Sequence, residues 1–449
     1  MNIFIAGGGR VGFHLARLLS TERQDVTVIE TNPYEIEQID YVLDVSTVSG
    51  DATSAMLLQS IGVDAADLFV SLTGSDEINL IAAATAKGLG AKQVVARVDG
   101  PTYIESHVLY EGILGIDYVV SPDSLAAAEI ADFLLEPGVV ASQEFGRGRI
   151  QMRQIRVSTA PCEGGKTLRD LVPPGTGVLL GLVNRNGASH IPHGDSVIER
   201  GDHVTLIGRR DQMDAVQKLF LGEPAKPKRV AIMGGATIGF RLAQAMEDKV
   251  RTVKLFERRE KRSEQLAAKL DKVKVICRDA TSRGALEQEH ISAFDAFVAA
   301  TNDDERNIMA GVLAKEVGAK MVVSVVHHPD FAALVERLGI DLAITPRTCM
   351  ANQVLTLVHQ DHVTSLRVLA EGQIEVVEFE AKKGGPLVGR KLKEYPSKFP
   401  RSALIAAILR GDQVIVPGGD DAVRAGDSVI VIASAESLAA VRKLFQKKQ

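Results

Sequence analysis

The chain has 449 residues, 45% hydrophobic and 24% charged, with only 4% aromatic and no tryptophan. This composition fits a globular protein with aliphatic cores, and a prior of roughly 150 residues per domain gives about three domains. A net charge of −5 argues against a general nucleic-acid binder, and three dispersed cysteines (Cys162, Cys277, Cys349) without a CxxC pair argue against a disulfide framework or a zinc cluster. The first residues lack the layout of a signal peptide and no apolar run approaches the ~18 residues of a membrane span. A reducing, cytoplasmic setting is therefore expected, with docking onto a membrane still open.

In chain order, the first element is the apolar run Ile3–Ala6, which leads directly into Gly7-Gly8-Gly9-Arg10-Val11-Gly12 and then a helical pattern. Short apolar runs at Val26–Ile29, Leu68–Leu72 and Gln93–Val98 then alternate with helical stretches. This is the pattern of a doubly wound parallel sheet, in which the loops after the strands share one edge. From about residue 139 the pattern changes. Alternating apolar and polar residues with Asn-Gly and Gly-Asp turns predict antiparallel strands, closed by "IERGDHVTLIG" (Ile198–Gly208) and a helical "DQMDAVQKLF".

The chain then repeats itself. Asn2–Leu19 returns as Arg229–Met246, "DVTVIE" ending at Glu30 returns as "TVKLFE" ending at Glu257, and "GDATS" (Gly50–Ser54) returns as "RDATS" (Arg278–Ser282). Val70–Ala96 returns as Ala299–Ser324, and the antiparallel unit returns as "ALIAAILRGDQVIVPGGDDAV", "VRAGDSVIVIA" and "ESLAAVRKLF". The order A-B-A-B follows. The expected lobes span 1–138, 139–222, 227–360 and 361–449, with the Pro-rich linker "GEPAKPKR" between halves and a less distinct break near His359–Thr364.

Gly7, Gly9 and Gly12 form G-x-G-x-x-G between a strand and a helix. The first glycine permits the tight turn, the second lets a pyrophosphate approach the backbone, and the third lets helix and strand pack closely. Free amides at the helix start favour phosphate, and Arg10 adds a cation within the loop. Glu30, at the end of the second strand, is placed to accept from ribose hydroxyls and to repel a 2′-phosphate. It favours NAD over NADP, but the ribose of ATP or ADP satisfies it equally. Asp51-Ala52-Thr53 borders the expected adenine position, and Thr73-Gly74 and Arg97 end the next strands on the same edge.

The second copy, Gly234-Gly235-Ala236-Thr237-Ile238-Gly239, carries a methyl at the middle glycine. Arg278 replaces Gly50, and Ser324 stands as the replacement for Arg97. Glu257 is kept but is followed by Arg258, Arg259, Lys261 and Arg262. No Tyr-x-x-x-Lys, HExxH, G-x-S-x-G or Walker loop occurs. His190/His193 and His359/His362 read as surface histidines rather than metal ligands, and the B units offer no acid–base set for a substrate domain.

These motifs resemble the N-lobes of RCK (KTN) domains, and "GGKTLRDL", "PLVGRKLKEY" and the GD-x-V-x-x-I closers resemble their C-lobes. The tandem order and length are similar to the TrkA-type family of Trk potassium-uptake systems. The resemblance implies two Rossmann-like α/β lobes, each followed by a small α/β C-lobe, in a cytosolic, non-enzymatic gating subunit. Such a subunit forms homo-oligomers (dimer or tetramer), sits on the membrane face of a TrkH/TrkG-like potassium pore, and binds NAD(H) and ATP/ADP. It carries nucleotide contacts onto Gly7–Val11, Glu30, Thr73, Gly74 and Arg97, and in the second lobe onto Gly234–Ile238, Glu257 and Asn302. Two rival readings remain: an NAD-dependent oxidoreductase, and a regulator of a proton-linked potassium exporter.

Overall fold

The computed structural model describes residues 1–21, 24–136, 138–146, 148–173, 175–185, 188–222, 227–358, 366–369, 374–394, 399–400, 402–411 and 413–445. The expected break at His359–Thr364, the 360/361 boundary, His359, His362, Pro137 and linker residues 223–226 lie outside them. The strands in chain order are β1 (Asn2–Ala6), β2 (Asp25–Glu30), β3 (Ser46–Ser49), β4 (Leu68–Ser71), β5 (Gln93–Arg97) and β6 (Tyr118–Val120). An antiparallel set follows: β7 (Val139–Phe145), β8 (Ile150–Arg156), β9 (Val178–Arg185), β10 (Ala188–His190) and β11 (His203–Arg209). The second half repeats both sets as β12 (Arg229–Met233), β13 (Thr252–Glu257), β14 (Val273–Cys277), β15 (Ala296–Ala299), β16 (Met321–Val325) and β17 (Leu342–Ile344), then β18 (Leu366–Leu369), β19 (Ile374–Glu380), β20 (Ala403–Arg410), β21 (Gln413–Ile415) and β22 (Ser428–Ser434).

These elements form two compact units, and each unit gathers like with like. One joins Met1–Leu135 to Pro227–Leu355, and the other joins Glu136–Lys226 to Thr356–Gln449. In the first unit the sheets run β3-β2-β1-β4-β5-β6 and β14-β13-β12-β15-β16-β17. All registered pairs in both sheets are parallel. The central strands are buried on both faces, which is why Ile3, Phe4, Ile5 and Ala6 read as an unbroken apolar run. The order reverses between β1 and β4, and between β12 and β15, opening a crevice at the strand C-termini.

A helix of the first lobe packs on the second. After β6 the chain forms Pro122–Leu135, whose Ala126, Ala127, Ile130 and Leu134 pack with Ile238, Leu242 and Met246 of the second lobe in one apolar core. In the repeat the helix Pro346–Val358 follows β17 at the corresponding point of the chain. Its Cys349 thiol meets the Glu129 carboxylate at 3.1 Å on the partner helix, where burial and that charge hold the thiol fully protonated.

The second unit contains two antiparallel sheets, β10-β9-β11-β8-β7 and β18-β19-β22-β20-β21. Phe145, Met152, Leu182 and Ile207 of the first meet Val376, Ala406, Ile430 and Ile432 of the second in a shared core. The Gly-Asp closers have a structural job. Gly201 and Gly426 take left-handed φ angles of 95° and 86°, and the buried Asp202 and Asp427 each accept two hydrogen bonds from one guanidinium, Arg185 and Arg410, at 2.7–3.0 Å. Bidentate pairing is what allows those carboxylates to be buried.

Candidate functional site

In the first lobe the strand-end residues gather at the C-terminal edge of the sheet. Gly7 has φ 104° and donates its N–H to the Ile29 carbonyl at 2.8 Å, closing the turn between β1 and β2. The glycines that follow have different reasons to be glycine. A Cβ on Gly12 would lie 1.9 Å from the Gly7 carbonyl oxygen, so helix Arg10–Thr21 packs on the strand only because that atom is absent. A Cβ on Gly8 would meet Ile39 at 2.7 Å. A Cβ on Gly9 or Gly74 would meet nothing within 4 Å. No feature of the protein itself requires glycine at these two positions; they border open space where a ligand backbone would run, in front of helical amides with no intrahelical partner.

Glu30 is held in position by its neighbours. Its Oε1 accepts from the N–H groups of Thr31 (2.7 Å) and Asn32 (2.9 Å) and the Thr31 hydroxyl (3.2 Å), and its Oε2 from Gly8 N–H at 2.6 Å. Partial burial works to raise its pKa, but the amides of Asn32, Gly8 and Thr31 outweigh that and hold the carboxyl below its ordinary range. It is an anion at neutral pH, and Oε2 keeps a lone pair for a ribose hydroxyl. Asp51 caps its own turn by accepting from Thr53 N–H and hydroxyl at 2.9 and 2.8 Å, with Ala52 buried beneath. Arg97 turns its guanidinium onto Asp99, at 2.5 Å and 3.3 Å.

Asp76 and Asn79, at the start of helix Asp76–Leu89, position this wall and were not among the expected site residues. Asn79 is buried; its Oδ1 accepts from Thr73 N–H (2.7 Å), Thr73 Oγ1 (2.8 Å) and Ser71 Oγ (3.0 Å), and its Nδ2 donates to the carbonyls of Thr73 and Arg97, both at 3.1 Å. Asp76 accepts from Asp99 and Gly100 N–H groups at 2.9 and 2.7 Å. Asp304 and Asn307 do the same in the second lobe. The signal was in the repeat, since Asp-Glu-Ile-Asn and Asp-Glu-Arg-Asn occupy matching places. The same clamp corrects one equivalence. Asn79 and Asn307 reach the carbonyls of Arg97 and Val325, and the strand registers match Ala96 with Ser324. The counterpart of Arg97 is therefore the buried Val325, while Ser324 faces inward and donates to the Asn307 carbonyl at 3.0 Å.

The second lobe keeps the turn but lines it with its own cations. Gly234 (φ 108°) and Gly239 repeat the roles of Gly7 and Gly12, with the Gly239 Cβ direction 1.9 Å from the Gly234 oxygen. Ala236 puts its methyl at the start of helix Thr237–Met246, and Ile238 buries its side chain in the core. Glu257 accepts from Gly235 N–H at 3.2 Å and, at both oxygens, from the Arg259 guanidinium at 2.9 and 3.2 Å, with Arg259 N–H adding a fourth bond at 2.9 Å. No lone pair remains for a ribose. Arg262 holds the Gly235 carbonyl at 3.1 Å, and Arg306 pairs with Asp279 at 2.8 Å. Glu257, Arg258, Arg259, Arg278, Asn302 and Arg306 line a cavity of about 220 Å³. Ala236→Gly combined with Arg259→Gln is expected to tighten NAD binding at this lobe about tenfold or more, seen in calorimetry as a second class of site. An unchanged isotherm would show that methyl and guanidinium do not control NAD affinity at this lobe.

A wider cleft lies between the two lobes of this unit, lined from one side by Gly9, Arg10, Val11, Gly74 and Arg97 and from the other by Thr237, Asn302, His327 and Arg347. His327 Nδ1 lies 2.8 Å from Asp304. This contact has the form of an acid–base dyad, yet Asp304 is already engaged by the N–H groups of His327 and His328, as Asp76 is in the first lobe. Among the described residues no group of three or more His, Cys, Asp or Glu is arranged to hold a metal, and no helix is long and apolar enough to cross a membrane.

Fold and site define a class: a tandem protein with paired Rossmann-type lobes, each with a glycine turn at the C-terminal edge of its sheet, joined to a pair of small antiparallel lobes. The TrkA-N domain family matches residues 3–122 and 230–346, and the TrkA-C domain family matches residues 152–221 and 376–446. The chain belongs to the TrkA family. It is 33% identical over 447 residues to the Trk system potassium uptake protein TrkA homolog of Archaeoglobus fulgidus, covering 99% of this chain and 100% of the relative. It is 32% identical over 454 residues to TrkA of Halomonas elongata, covering 99% of each. In fold it is similar to the GsuK channel bound to NAD (TM-score 0.63, 21% identity, 99% of this chain and 78% of the other).

Proposed function

We propose that this chain is a nucleotide-sensing regulatory subunit of a potassium-uptake system, and that its first lobe is the principal sensor. The observation that carries the reading is the pair of open glycines, Gly9 and Gly74, lining one cleft at the strand ends, with an ionised Glu30 bonded to the same turn through Gly8. Gly7–Gly12 would take the diphosphate, Glu30 the ribose hydroxyls, and Asp51–Thr53 would border the adenine. NAD(H), ADP and ATP share those parts, so each satisfies the site. NAD supplies hydride chemistry when a substrate is held against its nicotinamide; here the binding free energy goes into lobe geometry instead. Family membership, and the names of relatives as potassium-uptake proteins, support a TrkH/TrkG-like pore as partner and a place on the cytoplasmic face of the membrane. Exposed Val108, Leu109 and Ile113 on helix His107–Leu114 support homo-oligomer formation.

The test is to capture membrane partners with the full chain and then measure potassium flux with NAD, NADH, ADP and ATP. Nucleotide-dependent flux through a potassium pore supports the reading. A proton-linked exporter as the sole partner would replace it, and steady NADH oxidation with any member of a metabolite panel would return the oxidoreductase reading. Glu30→Arg is expected to weaken NADH and ADP alike by about tenfold or more, because it removes an acceptor shared by both riboses and places a cation beside the Gly8 amide. Calorimetry reads both affinities.

A further inference from the structure

Around the second glycine turn, four neutral positions of the first lobe have become arginines. Thr31, Asn32, Gly50 and Ile78 are matched in the repeat by Arg258, Arg259, Arg278 and Arg306. All four arginines line the cavity of about 220 Å³ at the strand ends of the second lobe. Two of them are committed: Arg259 covers both oxygens of Glu257, and Arg306 pairs with Asp279. The other two keep donors to spare. Arg258 is exposed, and its side chain has no hydrogen bond or ion pair among the described residues. Arg278 uses Nη1 on the Gln288 side chain at 2.6 Å, with Glu289 at 3.8 Å from the same nitrogen. Its Nε and Nη2 have no acceptor among the described residues. β13 and β14 run parallel with Glu257 opposite Cys277, so Arg258 and Arg278 follow one residue beyond, as two cations at neighbouring strand ends. The first lobe has Thr31 and Gly50 there.

In a Rossmann-type lobe this edge takes the adenosine ribose. An acid at the end of the second strand receives the 2′-hydroxyl, and a nearby arginine receives a 2′-phosphate instead. Glu257 is the acid at that place. Burial works to raise its carboxyl, but the bonds from Arg259 outweigh that and hold it below its ordinary range. It is an anion whose charge Arg259 already matches, so its repulsion of a phosphate is offset. Ala236 completes the change, because a methyl at the middle glycine hinders the approach of a diphosphate to the turn. We infer that the second lobe binds an adenosine nucleotide carrying a phosphate on its ribose, gripped by Arg258 and Arg278. A guanidinium presents a planar fork of donors that fits phosphate oxygens. Two of them at neighbouring strand ends relieve their mutual repulsion by sharing one dianion. The two lobes then differ in kind: bare Glu30 repels the group that Arg258 and Arg278 attract. This pocket is separate from the first-lobe site and extends the function beyond it.

The experiment is calorimetry on the full chain with two probes that differ only in the ribose phosphate, adenosine 2′,5′-bisphosphate and 5′-AMP. It is run in the Gly9→Val chain, whose first-lobe turn is blocked. The bisphosphate is expected to bind about 10-fold or more tightly than 5′-AMP, the scale of a charge-assisted phosphate contact. Adding Arg258→Gln and Arg278→Gln together is expected to bring the two affinities level. Both arginines belong to the second lobe, so their effect reads this pocket whatever the first lobe binds. Equal affinities for the two probes before the arginines are changed overturn the inference, and so does a preference that survives the loss of both. Inorganic phosphate competing as well as the bisphosphate would mark a bare anion site and overturn the nucleotide assignment. Should the double change fail to fold, Arg258→Gln alone, at an exposed side chain, is expected to narrow the gap, and the same ratio decides.

Discussion

Gly9→Val is expected to weaken NADH and ADP at the first lobe more than about 100-fold while shifting the melting temperature by no more than about 4 °C; Gly12→Val is expected to unfold that lobe. The two glycines are three residues apart in one motif, and their surroundings decide the contrast. Around Gly9 an added Cβ has no neighbour within 4 Å, so valine meets no protein atom at its first carbon. The remaining cost is a poor residue at the start of the helix, about 1 kcal/mol, or a few degrees for a domain of this size. The branched side chain fills the approach that a pyrophosphate needs. At Gly12 the added carbon lies 1.9 Å from a backbone oxygen. Helix and strand must separate to relieve it, and a backbone displacement in a packed core costs several kcal/mol. Calorimetry and thermal melts on both variants check this. Normal affinity in Gly9→Val would move the site elsewhere, and a stable Gly12→Val would mean that the turn is softer than its geometry states.

The contrast also marks how far sequence reasoning reaches. The strand, glycine turn and Glu30 were legible because each is local: periodicity, a tight turn, and an acid at a fixed distance along a βαβ unit. The degraded second turn was legible at Ala236 for the same reason, and the Arg-rich stretch after Glu257 was visible as a charge run. Its effect was not, because whether Arg259 lies on Glu257 or in solvent is a matter of rotamer and packing. The pairing of like lobes was also hidden. A repeat shows that a unit was copied, not which copy a given helix covers, and "PDSLAAAEIADFLL" is too uniformly apolar to show which sheet it faces. The cleft between the lobes was hidden for the same reason, since it brings Gly9 and Arg347, more than 300 positions apart, into one lining.

Asn79→Ala is expected to cost the first unit about 3–5 kcal/mol and to weaken first-lobe nucleotide binding as well; Asn307→Ala is expected to cost a similar amount of stability and leave first-lobe affinity unchanged. Both amides are buried, and each joins the turn after the fourth strand of its sheet to the end of the fifth. Truncating Asn79 removes its hydrogen bonds to Thr73 N–H, the Arg97 carbonyl and the Ser71 hydroxyl, at about 1–3 kcal/mol for each group that stays dry. Water entering the space lowers that sum, hence the smaller total. Asn79→Asp does not rescue it, because the second carboxylate oxygen would face the carbonyls of Thr73 and Arg97, which now accept from Nδ2. Thr73-Gly74 forms one wall of the site, so losing the clamp in the first lobe releases a binding surface. Losing it in the second lobe releases a wall of a different pocket, the one lined by Arg259 and Arg306. Urea midpoints at constant m-value measure the first effect and NADH titration the second. Equal losses of first-lobe affinity in the two variants would mean that the clamps act on the fold of the whole unit and not on the site wall.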